Sequence, residues 1–199
     1  MPVYKPAFIT KALMLPLFLI IFSGCSGLTT IPLSLNQARD YAFGREQTYA
    51  ATVPQILVVA VLRFSQMGLR VERIENFQHY GFILAKAPKG SCRFELTPVT
   101  ASLTKATVKF TKDTFIRERT VEKHIFRSID QDLQNPAPMP LKDAVQGMYQ
   151  AYAKKDKTAG VVAYFKPDLS IEILGRDEHW LTVKLSRNAK AYVPAKDFL

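Results

Sequence analysis

The stretch Tyr80-Gly81-Phe82-Ile83-Leu84-Ala85-Lys86-Ala87-Pro88-Lys89-Gly90-Ser91-Cys92-Arg93-Phe94-Glu95-Leu96 decides the fold. Large apolar side chains alternate through Tyr80, Phe82 and Leu84, and again through Cys92, Phe94 and Leu96, with Pro88-Lys89-Gly90 between the two runs. Successive side chains of a strand point to opposite faces, so a period of two marks half-buried strands, and the Pro/Gly punctuation joins them as a hairpin. Working outward, Leu69 to Glu75 has mixed alternation on the N-terminal side. On the C-terminal side, Thr104 to Thr111 sets Ala106, Val108 and Phe110 against Lys105, Thr107 and Lys109. The reading is four short strands, and Cys92 falls on their apolar side as a buried, inert thiol.

A helix is expected on each flank. The run Thr52-Val53-Pro54-Gln55 fits a capping box, with the Thr52 hydroxyl available to an orphan amide, Gln55 reaching back, and Pro54 tolerated in the first turn. Ile56, Ala60 and Phe64 recur at helical spacing with Val53, Leu57, Val61 and Met67 beside them, and Gly68 stops the helix. The second helix spans roughly Thr120 to Gln134, where Val121, Ile125, Ile129 and Leu133 recur every four residues. Alternating strands need one covered side, so two helices on one face of an antiparallel sheet is the expected arrangement, an α+β domain over residues 48–134. This order, helix, four strands, helix, from Tyr49 to Leu133 is similar to that of a family of bacterial lipoproteins known only as a domain of unknown function, and the resemblance implies the fold without an activity.

Pro136, Pro138 and Pro140 mark a spacer, and residues 135–156 read as a Pro-rich linker with a short helix that carries Ala144, Val145, Met148 and Tyr152 on one side. Short β runs follow at regular spacing: Gly160-Val161-Val162, Leu169 to Gly175, Trp180 to Leu185, and Ala191-Tyr192-Val193. A Leu174-Gly175 turn, Trp180 opening an alternating strand, and the closing Tyr192-Val193 resemble a bacterial SH3-like domain over residues 157–199. The resemblance implies a small all-β barrel, completed by the preceding segment or left incomplete, because the family's opening strand has no clear counterpart before Gly160. It also implies a groove for cell-wall peptides or proteins, with Tyr164, Trp180 and Tyr192 as the candidate groove residues.

The N-terminus sets the compartment. Lys5 and Lys11 precede an apolar run from Ala12 to Phe22, shorter than the ~20 residues a membrane span needs. Ser23 and Gly24 lead into Cys25, the pattern of a signal peptide over residues 1–24. The run resembles a lipobox, which implies cleavage before Cys25 and acylation of that cysteine, with palmitate among the chains expected. Two or three acyl chains hold a protein stably to a bilayer where one does not. With Ser26 in place of Asp, the resemblance implies sorting to the outer membrane, facing the periplasm, in a Gram-negative host. Residues 25–47 then read as a tether.

The formal charge of the chain is +10, and loss of residues 1–24 removes two lysines and no acid, leaving +8. The excess is spread along the chain with no block of like charge and no basic stripe interleaved with aromatics, which argues against nucleic acid and for anionic envelope surfaces. Catalysis is not expected. His79, His124 and His179 are far apart and have no metal-ligand spacing, no Gly-rich phosphate loop or nucleophile elbow is present, and Asp113, Glu118 and Glu122 are dispersed on faces expected to be solvated. The sequence therefore predicts no catalytic residue, metal or small-molecule cofactor. It predicts a membrane-anchored module that binds peptidoglycan or an envelope protein, the alternative being a scaffold subunit of an envelope complex that acts through the α+β domain.

Overall fold

The computed structural model describes residues 44–113, 116–134 and 139–197. Cys25 and its lipobox lie outside the described residues. The four central strands form where alternation places them: β2 (Arg70–Phe77), β3 (Tyr80–Ala87), β4 (Gly90–Pro98) and β5 (Thr104–Lys112). They follow one another as antiparallel neighbours, with Ile83 opposite both Ile74 and Phe94, and Phe94 opposite Val108. Helix α1 (Val53–Gln66) opens with the capping box, the Thr52 amide donating to Gln55 Oε1 at 2.9 Å, and ends before Gly68 in the left-handed region at φ 74°. Helix α2 (Arg119–Leu133) places Ile125, Phe126 and Ile129 in the same core.

Two strands flank this set. β1 (Arg45–Tyr49) begins inside the stretch read as a tether and pairs with β5, and β6 (Ile116–Arg117) pairs with the end of β5. The Tyr49 ring packs 6.2 Å from that of Phe126, and Gln47 donates to Asp130 at 2.7 and 2.8 Å, so the strand is tied to α2.

The C-terminal half departs from expectation. Of the short helix expected in the linker, only Leu141–Ala144 forms (α3); Gly147 then turns the chain at φ 76° into β7 (Tyr149–Tyr152). Strands β8 (Val161–Phe165), β9 (Ile173–Arg176), β10 (Trp180–Lys184) and β11 (Lys190–Pro194) complete the sheet. The expected α+β domain followed by a closed barrel is not what forms. Among the described residues all eleven strands belong to one open, antiparallel sheet in the order β1-β5-β4-β3-β2-β8-β7-β11-β10-β9, with β6 beside β5. The reason is the pairing of β8 with β2, Arg73 opposite Phe165, Ile74 opposite Tyr164, and Glu75 opposite Ala163, which spends on the first region an edge that closure would have required.

Because neighbouring residues of β8 face opposite ways, that strand serves two cores. Tyr164 joins the large core under the helices, while Ala163 and Phe165 join a smaller one with Ala151, Leu181, Val183, Leu185, Ala191, Val193 and Ala195. The two regions also meet through a turn. Ser186–Asn188 lies against the face of β2 and β3 opposite the helices, and Arg187 and Asn188 take left-handed backbone at φ 54° and 60°. The turn is held by Glu75, fully buried, whose Oε1 accepts the Ser186 amide at 3.1 Å and lies 3.2 Å from Arg73 Nε. Arg187 reaches over the Tyr80 ring at 3.9 Å, and Arg73 and Arg93 lie 5.0 and 5.6 Å from the centre of Phe82. Burial, with Glu95 and Glu75 nearby, pushes the Tyr80 hydroxyl up to about 12. β3 is thus covered on both faces, where alternation alone led us to expect one.

Candidate functional site

Of the three groove residues read from the sequence, the fold brings together two. Tyr164 is buried, 6 % exposed, in the large core; burial, then the neighbouring Tyr152, raises its hydroxyl. It does not line a groove. Trp180 begins β10 and Tyr192 lies on β11, both half-buried on the face away from the small core, since their neighbours Leu181, Ala191 and Val193 point inward. Register sets Trp180 opposite Pro194 and Thr182 opposite Tyr192.

A third aromatic completes the face. Tyr152 of β7 stands opposite Tyr192 in the ladder, and its ring meets Trp180 edge-on, 6.0 Å between centres at 85°. The four-residue spacing of Ala144, Met148 and Tyr152 led the sequence reading to a helix; the turn signal that would have found this strand is Gly147.

Charged groups frame the three rings. Lys155 Nζ lies 5.8 Å from the centre of Tyr192 and 2.6 Å from Asp177 Oδ2. Asp177 also accepts the backbone amides of His179 at 3.0 Å and Trp180 at 2.8 Å, which fixes the β9–β10 turn and the entry of Trp180 into its strand. Lys155 and these two amides together hold the Asp177 carboxyl down to about 2. Beside Trp180 opens a cavity of about 260 Å³, lined also by Lys157, Glu178, His179, Pro194 and Lys196. It is small for a drug-sized ligand, for which pockets begin near ~300 Å³, and fits a side chain or a short peptide segment.

Two titratable residues elsewhere, Cys92 and Glu122, lie in the large core region. Cys92 is fully buried, and burial, with Glu122 a lesser cause, raises its thiol far above the range of a nucleophile. Glu122 was expected on a solvated face; it is fully buried, bridging Arg117 through Oε1 to Nε at 2.7 Å and Oε2 to Nη2 at 2.5 Å, and accepting the Phe110 amide at 3.0 Å. Among the described residues no group of three or more His, Cys, Asp or Glu stands close enough to hold a metal, and no helix is long and apolar enough to cross a membrane. Compared with protein-family models and with curated proteins, the chain matches none.

Proposed function

We propose that this chain is a non-enzymatic lipoprotein, anchored through acylated Cys25 to the periplasmic face of the outer membrane, and that it binds cell-wall peptidoglycan through the face formed by Tyr152, Trp180 and Tyr192. The observation that carries the reading is the convergence of these three rings from three strands beside a cavity with both cationic and anionic walls. Aromatic faces bury apolar stems, while Lys157, Lys196 and Glu178 offer partners to the carboxylate and ammonium groups of a short zwitterionic peptide such as the wall's cross-linking stem. The reading stands on this face and not on barrel closure. Lipid tethering confines the face to a thin shell next to the wall and raises the effective concentration of a weak ligand, so modest affinity suffices.

The test is co-sedimentation of the full chain in detergent with purified sacculi, at low salt and at ~0.3 M, where screening shortens the reach of surface charge. Binding that survives salt and falls at least about tenfold in Trp180→Ala, with the circular dichroism spectrum unchanged, is the expected result. Absence of binding, or binding that salt abolishes and Trp180→Ala leaves intact, overturns it. Retention of a protein partner by the same face would then mark an envelope-protein ligand.

A further inference from the structure

One edge of the sheet is apolar and uncovered among the described residues. Strand β9 ends the strand order, pairs only with β10, and exposes every residue from Ile173 to Arg176, with Ile173 at 52 % and Leu174 at 45 %. Strand edges of this kind are ordinarily protected, because their free amides and carbonyls template pairing with another chain. The register with β10 slips here: Gly175 stands opposite Thr182 and Ile173 opposite Val183, which leaves Leu174 without a partner in the ladder.

The order of residues along this edge says what fits it. In Glu172-Ile173-Leu174-Gly175-Arg176, the charges at the two ends are opposite and the centre is apolar. An antiparallel copy of the same segment, centred on Leu174, sets Glu172 against Arg176 twice, Ile173 against Gly175 twice, and Leu174 against itself. The Arg176 side chain is exposed and makes no hydrogen bond or ion pair among the described residues, while the Glu172 side chain, 61 % exposed, holds only Lys184 at 3.1 Å. Each Ile173 would lie over the bare backbone of a Gly175, where no side chain competes for space. A two-fold, isologous contact requires this kind of self-complementarity.

We propose that the chain self-associates through β9, a second copy adding its β9 antiparallel to the first and joining two sheets edge to edge. The contact is short, so it is weak in free solution and strengthened where a lipid anchor holds two copies at one surface. It does not depend on the aromatic face or on what that face binds.

Charge reversal tests the register directly. The full chain in detergent is followed by sedimentation velocity over a concentration series. Wild type is expected to show a reversible monomer–dimer equilibrium. Glu172→Arg and Arg176→Glu, each of which sets like charges opposite one another twice, are expected to weaken it roughly tenfold or more. Mixing the two variants in equal amounts restores dimer, because each then presents the charge that the other lacks, and the double variant E172R/R176E dimerises by itself. Unchanged melting temperatures exclude misfolding as the cause. A monomeric wild type, single variants that still dimerise, or a mixture that fails to recover dimer each overturns the proposal.

Discussion

The two halves of this sheet solve the same problem with different means. Under α1 and α2, the described residues contribute a core with Phe64, Phe94, Phe126, Ile56, Leu57 and Ile83 fully or almost fully buried. The region from β7 to β11 has nine core residues among those described, four of them alanine, and no helix layer of its own. Apolar burial stabilises at about 25 cal/mol per Å², so small side chains in a small core leave little to offset chain entropy. The second region makes up the deficit by borrowing β2 as a strand partner and by seating Ser186–Asn188 on the first. Its independence, apparent in the spacing of its strands, ends at that pairing.

Cutting the chain between the two halves is expected to affect them most unequally. Residues 141–199 alone are expected to show no cooperative thermal transition and little amide dispersion by NMR, whereas a chain ending at Pro140 keeps a cooperative transition at reduced stability. Independent folding of the C-terminal piece would remove the argument that it leans on β2.

The ion pairs sharpen the contrast at the next scale. In the first region Arg117 and Glu122 are 5 % and 0 % exposed at their side chains. Glu122→Ala strands a buried guanidinium and an unpaired Phe110 amide, a loss of about 3–5 kcal/mol by urea denaturation. In the second region, Glu172 meets Lys184 at the surface, and Glu172→Ala is expected to change stability by less than ~1 kcal/mol. Equal costs at the two sites would contradict the difference in burial.

The smallest effect lies in the seam between the regions. Burial holds the Glu75 carboxyl above its ordinary 4.5, against the opposing pull of the Ser186 amide and Arg73. As pH rises past about 4.5 the unfolded chain gives up this proton before the native state does, so native stability falls from there up to the raised value and is flat below. Glu75→Gln removes that ionisation. The stability difference, variant minus wild type, is expected to grow across that window in urea titrations; a difference independent of pH would show that the seam carries no proton linkage at this carboxyl.

Legibility in the sequence followed locality. Thr52 and Gln55 are three residues apart and cap the same helix whatever surrounds them, and the β3–β4 hairpin closes across two residues, Pro88 and Lys89, so both are readable directly. Glu122 could not be placed, because its burial depends on Arg117 and on the Phe110 amide coming from β6 and β5. Tyr152 reads as helical in the sequence because spacing of four along Ala144, Met148 and Tyr152 mimics a helix across a glycine turn. The resemblance to an SH3-like domain assigns Tyr164 to a groove, whereas its strand's pairing with β2 turns it into the core.

Local pattern sets the β3–β4 hairpin, the two long helices, the spread of basic charge and the aromatic candidates Trp180 and Tyr192, since these rest on alternation, capping and residue chemistry within a few positions. The tertiary structure alone decided that one open sheet replaces a domain and a barrel, that Tyr152 joins Trp180 and Tyr192, and that β9 is left as an edge. The second rests on β7 pairing with β11, and the first on β8 pairing with β2 across some ninety positions of chain. The energy of that choice lies in burying Tyr164 on one face and Phe165 on the other, which no local pattern encodes.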